Sequence, residues 1–312
     1  MGVITSLLAT FGPGGALCAA HAALAFVWPH ARPLVAGDDA LTTRYMHATR
    51  GRPAWALVAD AAGPVGRALC LELAARGFNV VLYGAWGAQQ QRERLEGVRD
   101  ELVRGFPENK YRIIVADGDG VGVAEFTERV VRSLTDVNLT LVVDGFGGAW
   151  KDCGAEGADA ALPGELMAAL VPLLRRNAPA LVLNVAASPP ATTGAAKTPL
   201  RFCYGATQAL SQDGVDVDLV SCCLGEVSTG GRDAVSLTRP TPRALARAVL
   251  AHAGYSWSKG GGAVVYPYLP DDLLQVMRDT LPGWAVDRIL DLVGGKLGGW
   301  GMVTQGMQMR KS

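Results

Sequence analysis

Residues 54–83 read AWALVADAAGPVGRALCLELAARGFNVVLY, and this stretch has the pattern of a strand, a tight turn, a helix and a second strand. An apolar run meets a turn of small residues, after which Val65, Leu69 and Leu73 recur at helical spacing. Gly77 is placed to end the helix, and a second apolar run follows it. A strand, turn, helix and strand within about thirty residues are typical of the opening of a dinucleotide-binding fold.

Composition is that of a globular protein with one large core. The chain has 312 residues, of which 49% are hydrophobic and 19% are charged, so it can bury a single α/β core. Lysine and arginine together number 29, as do aspartate and glutamate. This balance provides no basic field for a nucleic acid.

The cysteines show no C-x-x-C spacing and lie mostly within apolar runs. We therefore predict that they are reduced core residues rather than metal ligands or disulfide partners. The six positions are Cys18, Cys70, Cys153, Cys203, Cys222 and Cys223.

The first 38 residues are predicted to form a hydrophobic anchor or an interface helix. Residues 7–28 contain no charged side chain unless His21 is protonated. The Gly-Pro-Gly-Gly at 12–15 interrupts them, and the remaining helical part, 15–28, is shorter than the roughly 20 residues that span a bilayer. The segment could therefore span the membrane, lie in its interface, or be buried against another subunit.

Apolar runs alternate with amphipathic segments along the rest of the chain, which predicts an α/β fold with a Rossmann-like, doubly wound parallel sheet. We predict three parts, namely the N-terminal segment 1–38, a core at 39–235 and a helical C-terminal extension at 236–312. The predicted strands are 55–58, 78–83, 111–116, 139–143, 181–185 and 215–224. The later predicted helices are about 89–105, 123–134, 165–176, one that begins at the Pro-Thr-Pro of 240–242, and 286–293.

The opening stretch resembles the short-chain dehydrogenase/reductases, in particular the membrane-bound very-long-chain 3-oxoacyl-CoA reductases and related hydroxysteroid dehydrogenases. The family pattern W-A-L-V-T-G-x-x-x-G-I-G aligns with residues 55–66, and L-A-x-x-G-x-N-V-V-L aligns with 73–82. The resemblance extends over about 40–297. It implies a Rossmann-like fold, an N-terminal membrane anchor, and carbonyl reduction with NADP.

The turn departs from the family at the positions that serve the cofactor. Ala59 and Asp60 stand where the family carries Thr-Gly, and Pro64 replaces the middle glycine, while Gly66 is kept. Glycines there let backbone amides approach a pyrophosphate at a helix N-terminus. Asp60 would place a negative charge beside the pyrophosphate. The repulsion between two like charges costs roughly 3 kcal/mol at about 5 Å and an effective dielectric near 20. Pro64 suits a first helical turn but removes an amide donor.

The resemblance implies that a tyrosine protonates the substrate, assisted by a lysine four residues later that lowers the tyrosine pKa. Tyr204 matches the tyrosine, but Gln208 occupies the lysine position. A shifted alignment cannot restore the cation, because no lysine lies between Lys197 and Lys259. Gln208 could hydrogen-bond a ribose hydroxyl but carries no charge.

The remaining family positions are only partly matched. Ala187 stands at the position of the family's serine, and Ser188 follows it as the nearby hydroxyl, in either a catalytic or a loop role. The asparagine of the proton relay has no counterpart between Asn138 and Asn177. Asp117 matches the family's aspartate at the adenine edge, although it could equally cap a helix.

These departures favour a catalytically inactive homologue without a bound cofactor. We expect an accessory or scaffolding subunit of a membrane protein complex, such as a respiratory complex of the mitochondrial inner membrane, attached through 7–28. The short helical stretch 206–211 leaves little of the usual family homodimer face. One alternative is an active NADP-dependent 3-oxoacyl-CoA or steroid reductase of the endoplasmic reticulum that uses Tyr204, Ser188 and Gln208. Another is binding of a lipid or acyl chain without redox chemistry.

Overall fold

A computed structural model describes the sheet and most of the helices around it. The predicted N-terminal segment, 1–38, and the predicted helix 206–211 lie outside the described residues. The described residues are 39–84, 88–115, 123–144, 162–187, 216–224, 227–228, 240–254 and 263–268, together with Met277, Trp284 and Arg288.

Seven parallel strands form one sheet in the order β3-β2-β1-β4-β5-β6-β7. The chain moves outward from β1 to β3 and then crosses back to β4, so β1 and β4 flank the point where the winding reverses. The predicted Rossmann-like parallel sheet is confirmed. The strands are β1 (Ala54–Val58), β2 (Asn79–Gly84), β3 (Tyr111–Val115), β4 (Asn138–Asp144), β5 (Ala180–Ala187), β6 (Val217–Leu224) and β7 (Ala263–Val265).

Helices cover both faces of the sheet, which explains why β1, β2 and β4 are buried along their whole length. Side chains of α1, α2, α3 and α6 pack on one face, and side chains of α4 and α5 pack on the other. These helices are α1 (Asp39–Tyr45), α2 (Pro64–Ala75), α3 (Ala88–Gly105), α4 (Val123–Ser133), α5 (Leu162–Arg176) and α6 (Pro242–Gly254).

Helix α1 was not predicted, and it attaches the residues before β1 to the amino-terminal end of the sheet. Tyr45 is 1% exposed, and its hydroxyl donates to Asp218 Oδ2 over 2.6 Å. Arg44 Nε donates to the same oxygen over 2.9 Å. The Asn138 side chain donates to the carbonyl of His47 over 2.8 Å. The segment before β1 is therefore held to both β4 and β6.

The sheet continues beyond residue 235, in the part of the chain that was predicted to be a helical extension packed on the core. β7 pairs with β6 through Val220 and Ala263, and α6 contributes Leu245 and Val249 to the core beside α2. The division at 235 stays a prediction. Among the residues that the structure describes, no helix combines the length and apolarity needed to cross a membrane.

Truncating Tyr45 should show how strongly α1 holds the sheet. Tyr45→Ala removes a fully buried ring and should lower the free energy of unfolding by about 3–5 kcal/mol. Tyr45→Phe keeps the ring and removes one hydrogen bond to a carboxylate, so about 1–2 kcal/mol should be lost. Urea unfolding followed by circular dichroism measures both. Arg99→Gln, at a position of α3 where the side chain is 40% exposed, is the control, and an equal loss of stability there would contradict the anchoring role of Tyr45.

Candidate functional site

The loop between β1 and α2 lies at the carboxyl end of the sheet, beside the reversal of the strand order. Ligands of doubly wound folds bind in the crevice at this position. The amide of Ala59 donates to the carbonyl of Val143 on β4 over 2.9 Å, and the amide of Ala61 donates to the carbonyl of Tyr83 on β2 over 3.2 Å. The loop is thus tied to the strands on either side of β1.

The start of α2 is fixed by one proline and one glycine. Pro64 is the first helical residue, where its fixed φ suits the helix and its missing amide hydrogen leaves no bond unmade. A Cβ on Gly66 would lie 2.1 Å from the carbonyl oxygen of Asp60. Gly66 therefore lets the helix approach the loop, which is a packing role that needs no ligand.

Asp60 has a backbone conformation that few residues adopt. Its φ is 50°, in the left-handed region that favours glycine and, among the other residues, asparagine and aspartate. Its carboxylate lies against the backbone of Gly63, since a Cβ on Gly63 would be 2.4 Å from Asp60 Oδ2. Asp60 can keep this position only because residue 63 is a glycine.

Burial raises the pKa of Asp60 to about 6. Among the described residues, no hydrogen bond or ion pair to its carboxylate offsets this burial. At neutral pH the loop therefore carries a partly desolvated negative charge.

These residues do not fit a dinucleotide pyrophosphate. The approaching phosphates would meet the Asp60 carboxylate and find no amide at Pro64. The amide of Gly63 already donates to the carbonyl of Asp60 over 2.9 Å. The charge of Asp60, the missing amide hydrogen of Pro64 and the engaged amide of Gly63 therefore all disfavour a bound pyrophosphate.

A row of side chains crosses the sheet below the loop, on the face covered by α4 and α5. The strand register places one residue from each of β2, β4, β5 and β6 side by side, together with the residue that directly follows β1. Four of the five are polar, and the alanine interrupts them at the position where the resembling family carries threonine. The row consists of Tyr83, Ala59, Asp144, Asn184 and Ser221.

Most of this row is buried. Asp144 is 4% and Ser221 is 5% exposed, and in the described part of the chain the Ser221 hydroxyl has no hydrogen-bond partner. Burial, together with the charge of Asp144, raises the pKa of Tyr83. Asp144 and Ser221 are two strands, or roughly 10 Å, apart, too far to act together as base and nucleophile.

Tyr83 and Ser221 were not predicted as site residues from the sequence. Each is a polar residue within an apolar strand. The two-residue alternation of each strand could have assigned it to a face of the sheet, the face that also carries Asn184. Only the pairing of the strands, however, shows that all of them lie at one level of the sheet.

The predicted site residues divide into two groups. Ala59, Asp60, Pro64 and Gly66 come together in the loop. Tyr204, Ser188, Gln208 and Asp117 lie outside the described residues, so their predicted roles remain predictions.

The described residues contain no group of side chains suited to a metal ion. Cys70 and Cys222 are buried, and burial raises the pKa of the Cys70 thiol. Both lie in the hydrophobic core, on the face that packs against α2 and α6.

The fold is shared with many short-chain dehydrogenases. A short-chain dehydrogenase of Pseudomonas syringae is 22% identical with a TM-score of 0.51, over 71% of this chain and 98% of that one. A glucose dehydrogenase of Caenorhabditis elegans without ligand is 22% identical with a TM-score of 0.51, over 70% and 98%. An NADPH-bound short-chain oxidoreductase of Pseudomonas aeruginosa with an atypical catalytic centre is 20% identical with a TM-score of 0.50, over 68% and 95%.

No family model matches the sequence, and no curated protein matches it significantly. At these identities the structural likeness shows the fold alone. The chain therefore has the short-chain dehydrogenase/reductase fold.

Replacing Gly66 should test the close approach of α2 to the loop. Gly66→Ala places a Cβ against backbone atoms that cannot rotate away, and it should cost about 2–3 kcal/mol of unfolding free energy. Gly97→Ala is the matched control, since its Cβ meets nothing within 4 Å on α3. This control should be stabilising by up to about 1 kcal/mol. Equal stability of the two variants in urea unfolding would refute the proposed packing role.

Asp60 should make stability depend on pH. Its folded pKa of about 6 lies above the ordinary value of 3.8, so the folded state binds the proton more tightly. Stability is then full below the lower value and falls as pH rises through the upper one. Asp60→Asn should be more stable than the natural protein by about 2 kcal/mol at pH 7. This figure is the free energy that corresponds to the pKa shift, reduced because the side chain is partly exposed.

The stability difference between Asp60→Asn and the natural protein should disappear near pH 4, where both side chains are neutral. Urea unfolding across this pH range measures it. Asp100→Asn, at an exposed carboxylate on α3, should show no comparable difference. A constant advantage of Asp60→Asn at all pH values would mean that the charge is not its cause.

Proposed function

We propose that this chain is a catalytically inactive homologue of the short-chain dehydrogenase/reductases that serves as an accessory or scaffolding subunit of a membrane protein complex. The observation that carries the proposal is the position of Asp60. Its carboxylate lies in the turn that would receive the cofactor phosphates, against Gly63 and with φ at 50°. The loop backbone is kept while its binding chemistry is lost.

The sequence of the catalytic positions supports the same proposal. Gln208 at the lysine position leaves Tyr204 without the cation that makes such a tyrosine acidic. Loss of both cofactor charge complementarity and the catalytic cation is expected when the shape and surface of a protein are retained for assembly. The hydrophobic stretch 7–28 supports attachment to a membrane, with the mitochondrial inner membrane as the proposed location.

Titration with NADPH tests the proposed loss of cofactor binding. The purified natural protein should show no binding heat by isothermal titration calorimetry. Asp60→Gly removes the opposing charge, and glycine adopts a positive φ without strain. This variant should bind NADPH up to about a hundredfold more tightly than the natural protein. Asp100→Asn removes a charge elsewhere and should leave binding unchanged. Tight binding of NADPH by the natural protein would contradict the proposal.

Fractionation of native membranes tests the accessory role. The protein should migrate in a complex much larger than its own 32.6 kDa after mild detergent extraction and native electrophoresis. Recovery solely as a free monomer would count against a role in an assembly.

An active reductase with a divergent site is the second candidate function. It is favoured by one structural neighbour, the short-chain oxidoreductase of Pseudomonas aeruginosa, which has bound NADPH and an atypical catalytic centre. Under this reading Tyr204 would protonate the substrate, with Ser188 and Gln208 as its polar neighbours. Hydride transfer from NADPH to a 3-oxoacyl-CoA or a ketosteroid that disappears in Tyr204→Phe would establish it.

A further inference from the structure

Three arginines converge on one buried carboxylate at the junction of α2 and α6. Glu72 is 6% exposed. Arg243 Nε and Arg247 Nε donate to Glu72 Oε1 over 2.9 and 3.0 Å, and Arg76 Nη1 donates to Glu72 Oε2 over 3.2 Å. Burial alone would raise the pKa of Glu72, but the hydrogen bonds from Arg243, Arg247 and Arg76 outweigh it, so the pKa is lowered. Glu72 is thus an ionised partner shared by three cations.

The charges of this cluster do not balance. Arg243 and Arg247 share this one carboxylate, so among the described residues the two guanidinium groups of α6 exceed it by one positive charge. Arg243 and Arg247 are four residues apart on one helix, where like charges repel, and α6 has no acidic residue in its first turn. An arrangement that served only the stability of α6 would place an acid there instead.

The two arginines of α6 keep donors available at the surface. Their side chains are 68% and 58% exposed, and within the described residues each hydrogen-bonds Glu72 through Nε alone. By contrast, Arg67 donates through both Nε and Nη2 to the two carboxylate oxygens of Glu101. The terminal nitrogens of Arg243 and Arg247 are therefore held in place without an acceptor in the part of the chain that the structure describes.

We propose that Arg243 and Arg247, oriented by Glu72, form a docking site for a carboxylate-bearing segment of a partner protein. A guanidinium group binds a carboxylate through two parallel hydrogen bonds, and a guanidinium already fixed at Nε loses less freedom when it does so. The inference deepens the proposed accessory role and rests on it, because it names the surface through which the subunit would meet its complex.

The surroundings favour an acidic protein segment over an anionic membrane surface. Basic sites for lipid headgroups usually contain about four to eight lysines or arginines, and interfacial helices add large apolar side chains. Among the described residues, the exposed neighbours of the two arginines are small: Thr241, which directly precedes α6, and Ala244 on α6. Among the described residues, the exposed large hydrophobic side chains are Met46, Val103 and Trp284, none of which belongs to α2 or α6.

Binding of labelled poly-L-glutamate to the full chain tests the site by fluorescence anisotropy at low salt. Replacing both arginines, Arg243→Gln with Arg247→Gln, should weaken binding about tenfold. The matched control, Arg92→Gln with Arg94→Gln, removes the same charge from exposed positions of α3 and should change binding less than twofold. Circular dichroism and urea unfolding confirm that every variant is folded.

Glu72→Gln distinguishes the orientation of the two arginines from the general attraction of poly-L-glutamate to positive charge. It adds net positive charge, so general electrostatic attraction would tighten poly-L-glutamate binding. The proposed site requires weaker binding, because the two guanidinium groups lose the carboxylate that orients them.

Several outcomes would overturn the proposal. They are equal weakening in the control variant, tighter binding in Glu72→Gln, and no poly-L-glutamate binding at all. Arginine-dependent binding to phosphatidylserine vesicles in place of poly-L-glutamate would assign the surface to a membrane. The NADPH titration tests the proposed inactivity, and the poly-L-glutamate titration tests the docking site. Either proposal can therefore fail without the other.

Discussion

The contact between Gly66 and the carbonyl of Asp60 is the constraint on which much of the structure depends. It sets how closely α2 begins to the end of β1, and α2 is the helix against which α6 packs in the core. Because the carbonyl would lie 2.1 Å from any Cβ at residue 66, a larger residue would move the helix start away from the loop. The position of the Glu72 cluster follows from the same placement.

The loop shows that packing and ligand binding rest on different residues of one motif. Gly66 and Pro64 satisfy the geometry of the strand-to-helix turn, and both are compatible with an empty crevice. Asp60 affects mainly the charge and the space above the turn. The fold of this turn is therefore compatible with a charge that would repel phosphates.

Much of the sheet could be predicted because its strands are apolar and its helices amphipathic. Helix α1 could not, since seven residues with buried Leu41 and Tyr45 give too little periodicity, and its stability depends on Asp218, far away in the sequence. The short strand β7 is defined only by its pairing with β6. The chemistry of the loop could be predicted from Asp60 and Pro64. The Glu72 cluster could not be predicted from the sequence, because it joins residues about 170 positions apart that only the fold brings together.

Asp60 and Gly63 form a pair whose members constrain each other's evolution. The carboxylate fills the space that a Cβ at residue 63 would need, so a side chain at 63 requires that Asp60 be replaced or that its carboxylate move out of this position. Related sequences that lack the aspartate should be free to vary at the position of Gly63, while those that keep it should not. Gly63 would then be retained because of the Asp60 carboxylate and not because of a bound nucleotide.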